Sequence, residues 1–461
     1  FAGATDTSTL AGDVSGGVTV NGGTLTTDGT SVIGTTLDID GGTVNADAAT
    51  TVTGAATVTS GSLTVGAGQS LTYASLTVAD GASFTAEAGA QVFGTANTTT
   101  INGAATYNDG STLNDNGSID IGATGSVTFN TGGTGIVFDA DQDNNATGTI
   151  TSDGTITVNG TGNVSFGTDG DDNFTNQGSA TLALLDSSSV SDIDVLTNSS
   201  TANGATAGTA AIFLGGGTSL GFTTLNSSAG TIVSAGTLDG DVNLSGTADL
   251  DLNDGTITGA LDNQSATAIT LDGTVTGAFT QQGAGAQTTV DGTSSFGSTV
   301  DVDSGTLTVN ADTTVTGATT VDDATLNVGA GSTLTASGNV LAGGSGGAGT
   351  VVVDGTLDGD VTAENTATVT VNGSVDGNLE TQDTASFDIN GTSGAAPAEV
   401  TGNVTQAGTS ALNTLAGDIA GFLQQTGAGT ITVDGDAVVS GLVNIDAGTL
   451  TVAGGATLDA T

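Results

Sequence analysis

Carboxylates are the only side chains in this sequence with strong chemistry, and their spacing sets what they could do. The stretch Phe138 to Gly148 reads FDADQDNNATG, with Asp139, Asp141 and Asp143 at alternate positions followed by Asn144 and Asn145. Oxygen ligands at this spacing match the first half of a D-x-D-x-[DN]-G-x5-E calcium loop, so Asp139, Asp141, Asp143 and Asn145 are candidate calcium ligands. Two positions depart from the pattern: Asn144 stands where the turn glycine belongs, and Ile150 where the bidentate Glu belongs. Calcium takes six to eight oxygens, so a site here must draw ligands from elsewhere; otherwise the stretch is a solvated acidic loop. A second set, Asp254, Asp272 and Asp291, each precedes a glycine at steps of 18 and 19 residues. Asp-Gly is ordinary turn chemistry, yet the regular step predicts a column of carboxylates whose repulsion salt or cations relieve.

Composition excludes most other chemistry. The 461 residues carry 48 Asp and Glu, no Lys, Arg, His or Cys, and a net charge of -48. Phosphate neutralisation needs Lys or Arg, so nucleic acid is excluded as a partner, and an anionic membrane surface would repel the chain. Without imidazole or thiol there is no N/S metal site and no His or Cys nucleophile. Calcium is therefore the one plausible cofactor. Paired carboxylates alone can cleave glycosides, but the four Glu (Glu87, Glu364, Glu380 and Glu399) are scattered and there is no Trp, so an enzyme is not expected and a carbohydrate-active one is a remote alternative.

These acids must be positioned by a repeat. Residues 356–373 overlay 374–391 without a gap at an offset of 18, pairing Leu357 with Val375, Val361 with Leu379, Ala367 with Ala385, Val369 with Phe387 and Val371 with Ile389. Ala367, Val369 and Val371 alternate with Thr, the period of a half-buried strand, and Asn372-Gly373 is a turn signal. Residues 50–72 resemble 313–335, and Val309, Val315, Val321, Val328 and Leu334 recur six or seven residues apart, one inward residue per side. With 77 Gly and 36% hydrophobic residues, the pattern predicts an all-β fold: a single elongated parallel β-helix, or β-solenoid, of 18–19 residues and roughly three short strands per turn. At ~4.8 Å per turn, roughly 20 to 24 turns would make a rod about 100 to 115 Å long. Three regions are expected: an N-terminal solenoid over 1–135, irregular turns with loop excursions over 136–235, and a regular C-terminal solenoid over 236–461. Within the middle region, residues 183–217 (ALLDSSSVSDIDVLTNSSTANGATAGTAAIFLGGG) read as a loop excursion or short helix, and Thr392 to Glu399, holding Pro397, as a smaller excursion.

The rhythm of GTLTVNADTTVTGATTV (305–321) resembles the passenger regions of bacterial autotransporters and related large surface proteins. The resemblance implies a right-handed β-helix and a secreted or surface-displayed passenger. Steps such as VDGTLDGDV (353–361) and VTGNVTQ (400–406) are similar to the 18-residue turns of bactofilins, which polymerise end to end. Gly167 to Phe174 (GTDGDDNF) resembles one copy of the calcium-binding nonapeptide of toxin-type β-rolls, which makes Asp169 and Asp171 further candidate ligands. Phe1 in place of Met suggests a removed signal peptide, and the absence of Lys and Arg leaves trypsin-like proteases no site. The expectation is an extracellular or cell-surface structural rod, a subunit of a fibre, filament or surface layer that self-associates end to end. The alternative is an adhesin stalk whose irregular region, 136–235, contacts a carbohydrate or other surface ligand.

Overall fold

A computed structural model describes residues 5–95, 98–141, 148–168, 172–391 and 398–460. Among them lie 57 strands and no helix. The chain is a parallel β-solenoid of about 22 turns, divided into two compact units, Phe1–Val242 and Asn243–Thr461.

In the second unit one turn consists of the strands Thr350–Val353, Thr356–Asp358 and Val361–Ala363. The next three strands, Thr368–Val371, Ser374–Asp376 and Leu379–Thr381, stack on these in parallel 18 residues later. The register joins the residues paired by the repeat, and their columns are the core: Val351, Val369 and Phe387; Leu357, Val375 and Val400; Val361, Leu379 and Val404. All nine are at most 1% exposed. Alternation does this, because each strand sends every second side chain inward and the Thr, Asn or Asp between them outward. The evenly spaced Val309, Val315, Val321, Val328 and Leu334 are buried as well.

Corners are made by glycine for a steric reason. A Cβ on Gly377 would lie 2.2 Å from the carbonyl oxygen of Gly359, one on Gly402 2.3 Å from that of Gly377, and one on Gly421 2.4 Å from that of Gly402. Each turn rests its corner backbone directly on the corner below, so only a residue without Cβ fits.

The turn length departs from the expected 18–19 residues. That step holds for Asp251↔Thr270, Leu307↔Leu326 and Val351↔Val369. In the first unit it runs from 17 at Thr7↔Thr24 to 31 at Ser118↔Thr149. Longer turns enclose a wider interior, and rings fill it. Phe84, Tyr107, Phe129, Phe138, Phe166 and Phe174 form a chain of contacts with centroids 5.0 to 6.1 Å apart, each pair contributing roughly 0.5–1.5 kcal/mol beyond burial.

Residues 183–217 also correct the reading of a loop or helix. They contribute to the strands Thr181–Leu184, Ser189–Asn198 and Ile212–Leu214. Only the connection after Asn198 leaves the stack, closed by an antiparallel bridge between Asn203 and Ala210. A bulge explains why the strand was hidden: the pairing shifts between Val190 and Ile193, and Asp192 takes φ 65°, so the period-2 rhythm breaks mid-strand. The excursion expected at Thr392 to Glu399 lies mostly outside the described residues, although the register step grows from 18 to 25 at Ser374↔Glu399.

Val361 is 1% exposed between Val340 and Leu379, whereas Val352 points outward between Asn327 and Thr370. Val361→Asp buries an unpaired carboxylate and should cost at least ~3 kcal/mol, and Val352→Asp well under half of that. Urea melts of the two variants give the comparison; equal losses would contradict the inward assignment of Val361.

Candidate functional site

The strand Ile136–Asp139 stacks on Thr112–Asn114 with Asn114 opposite Asp139, and the Asp115 amide donates to the Asp139 carbonyl at 2.8 Å. This register puts the residues that end each strand at an enclosed corner. Asp115, Asp139 and Asp141 are 0%, 2% and 6% exposed, and Asp172, opening the strand Asp172–Asn176, is 1% exposed. Buried carboxylates at this density are unusual, because burying a charge requires compensation.

Asp139 has its compensation in view. Its Oδ1 accepts the Asp141 amide at 2.8 Å and its Oδ2 accepts the Thr168 hydroxyl at 3.1 Å. The second bond ties together the two stretches that the sequence marks as calcium-loop-like, since Thr168 belongs to GTDGDDNF. Asp172 sits in the same neighbourhood: a Cβ on Gly148 would come within 1.7 Å of its Oδ1, and one on Gly167 within 2.5 Å of its Oδ2. Glycine at both places makes the room for the carboxylate. Asp143, Asn145, Asp169 and Asp171, with Asn144, lie outside the described residues. Among the described residues no three acidic side chains come close enough together to hold a metal.

Asp115 and Asp172 are absent from the candidates read from sequence. Asp115, in TLNDNG, looks like a turn residue, and Asp172 looks like the tail of an acidic run; the available signal was the glycine pair Gly148 and Gly167 around Asp172. Burial holds the Asp115 carboxyl above its ordinary range, with the Thr99 hydroxyl and the Asn116 amide pulling the other way. Thr99 Oγ1 also pairs with the Tyr73 hydroxyl at 2.9 Å. Burial raises the Tyr73 and Tyr107 phenols too, and the Asp115 charge adds to it. The result is a buried cluster of hydroxyls around one carboxyl, Asp115, inside the first unit.

On the surface, the predicted column forms. Asp272 is raised by partial burial and then by Asp254 and Asp291 beside it. A second group behaves alike: Asp303 is raised by partial burial and then by Asp301 and Asp322. Like charges one rung apart, or two residues apart on one rung as Asp301 and Asp303 are, disfavour each other's ionised form. Comparison of the chain with protein families, curated proteins and solved structures returns no match, so function has to be argued from these arrangements.

Because folding raises the Asp115 pKa, the cost of its carboxylate is absent below the unfolded value of about 4, grows as pH rises to the folded value and is complete above it. Asp115→Asn keeps an acceptor for the Asn116 amide without the charge. It should gain about 1 kcal/mol at pH 7 and nothing near pH 3.5, measured by denaturant melts; the same gain at both pH values would refute the assignment. Asp139→Ala removes two acceptors and should lose about 2–3 kcal/mol whether calcium or a chelator is present. A loss confined to calcium-containing buffer would instead mark a bound ion.

Proposed function

We propose that this protein is a structural element, a secreted β-solenoid that builds an extracellular filament or surface layer by stacking on copies of itself, and that it carries out no catalysis. One observation supports this reading: the described strands are spent on stacking turn upon turn, in parallel and in register, with like side chains set in buried columns such as Val351, Val369 and Phe387. This is the construction of a scaffold, and a contact in which a rung of one copy pairs with a rung of another in the same register is heterologous, so it propagates.

Charge opposes this association and makes it tunable. Copies of net charge -48 repel over a Debye length that falls from about 30 Å at ~0.01 M salt to about 3 Å at ~1 M. Acid acts in the same direction without overshoot, because a chain with no Lys, Arg or His approaches neutrality as its carboxylates protonate and gains no compensating positive charge. Sedimentation and negative-stain electron microscopy should show monomers at low salt and neutral pH, and lengthening filaments as salt rises or pH falls toward 4. A protein that stays monomeric across the whole range would overturn the proposal.

A further inference from the structure

A second surface carries information of a different kind. The corner glycines Gly338, Gly359, Gly377, Gly402, Gly421 and Gly441 are each followed by an outward residue: Asn339, Asp360, Asn378, Asn403, Phe422 and Leu442. Three of these form a bonded ladder. Asp360 Oδ1 accepts the Asn378 amide at 2.8 Å and its Nδ2 at 2.9 Å, and Asn378 Oδ1 accepts the Asn403 amide and its Nδ2, both at 3.0 Å. Asn403 Oδ1 then accepts the Phe422 amide at 3.1 Å. Beside the ladder, the outward residues of the adjoining strands stack in register: Thr362, Glu380, Thr405, Gln424 and Asn444.

Ladder and strand face together line an open groove of about 440 Å³, walled by Asp360, Asn378, Glu380, Asn403, Thr405 and Phe422. It adjoins a hollow of about 210 Å³ between Phe422, Gln424, Leu442 and Asn444. Phe422, 36% exposed, is the one aromatic among the exposed large apolar side chains of the described residues.

We infer that this groove binds an extended, uncharged polysaccharide lying across successive rungs. Hydroxyl groups both donate and accept, and so do the amides of Asn and Gln and the hydroxyl of Thr, which the groove presents once per rung at intervals of ~4.8 Å. The acids are already engaged: Asp360 by Asn378, and Glu380 Oε1 by the Gln382 amide at 3.0 Å. An anionic chain is excluded, because no Lys or Arg exists to receive it. Phe422 and Leu442 offer an apolar platform for the C–H face of one sugar ring at the end of the polar track. The ladder is fixed by its own bonds before any ligand arrives, so binding immobilises few side chains. This site does not depend on assembly.

The test is calorimetric titration of the full chain, at low salt, with uncharged β-1,4-linked hexasaccharides of glucose, xylose and mannose, and with hexagalacturonate and hexalysine. At least one uncharged hexasaccharide should bind, and hexagalacturonate should not. Phe422→Ala should weaken that binding about tenfold, in the range of one lost aromatic contact. Gln424→Ala, an outward change on a strand, should weaken it severalfold and keeps the test valid if Phe422→Ala perturbs the fold. Leu412→Ala, 76% exposed and outside the groove, should leave it unchanged. The inference is overturned if no uncharged hexasaccharide binds, if binding ignores both Phe422→Ala and Gln424→Ala, or if hexalysine is the ligand whose binding those two substitutions weaken.

Discussion

Parallel hydrogen bonding between one turn and the next is the constraint from which the rest of this structure follows. Each rung must present its amides and carbonyls to the rung above at ~4.8 Å, and the corners must obey the same spacing as the strands. At the corners no pleat separates the chains. The carbonyl of Gly377 therefore lies where a Cβ on Gly402 would go, and that of Gly402 where a Cβ on Gly421 would go, while the Gly402 and Gly421 amides bond those carbonyls at 3.0 Å. Stacking in register also forces like onto like. Val sits on Leu in the core, Thr on Thr outside, and whatever side chain is placed at one corner is read again one turn later.

That repetition made part of the fold legible in the sequence. Leu357 and Val375, or Val361 and Leu379, match at an offset of 18 because they occupy one column, and no insertion falls between them. The signal fades where turns of unequal length stack. Ser118 and Thr149 are partners 31 residues apart, which no fixed period reveals, although Ile119 and Ile150 beside them are both fully buried. Asp192 hides its strand by a bulge, and Asp115 hides its burial by looking like a turn residue. Inwardness at a corner depends on the width of the turn below it, and that width is a property of two segments that are remote in sequence. The Asp139 and Thr168 contact is of this kind: each stretch could be singled out separately, but their adjacency required the register.

Net charge poses a problem for like-on-like stacking, since a stacked Asp meets another Asp. Two solutions are visible. Where Asp254, Asp272 and Asp291 follow one another, repulsion is accepted at a solvated corner and Asp272 holds its proton more tightly than usual. Where Asp354 is followed by Asn372 and Asn390, an amide replaces the next carboxylate, and bonds of 2.7 and 2.8 Å replace the repulsion. Asp and Asn also suit the corners for a backbone reason. All six non-glycine residues recorded with positive φ among the described residues are Asp or Asn: Asp186, Asp192, Asp254, Asp323, Asn365 and Asp383, the types that tolerate this region best. Acidity is thus partly a by-product of how the corners are built.

The same reasoning separates the groove in the second unit from a structural by-product. A ladder that served only to relieve charge would need no more than alternation of Asp with Asn, as Asp354, Asn372 and Asn390 provide. The run from Asp360 to Asn403 goes further, because it ends on Phe422 and Leu442, two apolar side chains turned to solvent at corner positions where Asn or Asp would relieve charge equally well. Exposing Phe422 at 36% forgoes the burial that stabilises the core columns. In a chain with 13 Phe, nine of them in the buried core, a ring left at the mouth of a polar groove is most simply explained by a ligand that covers it.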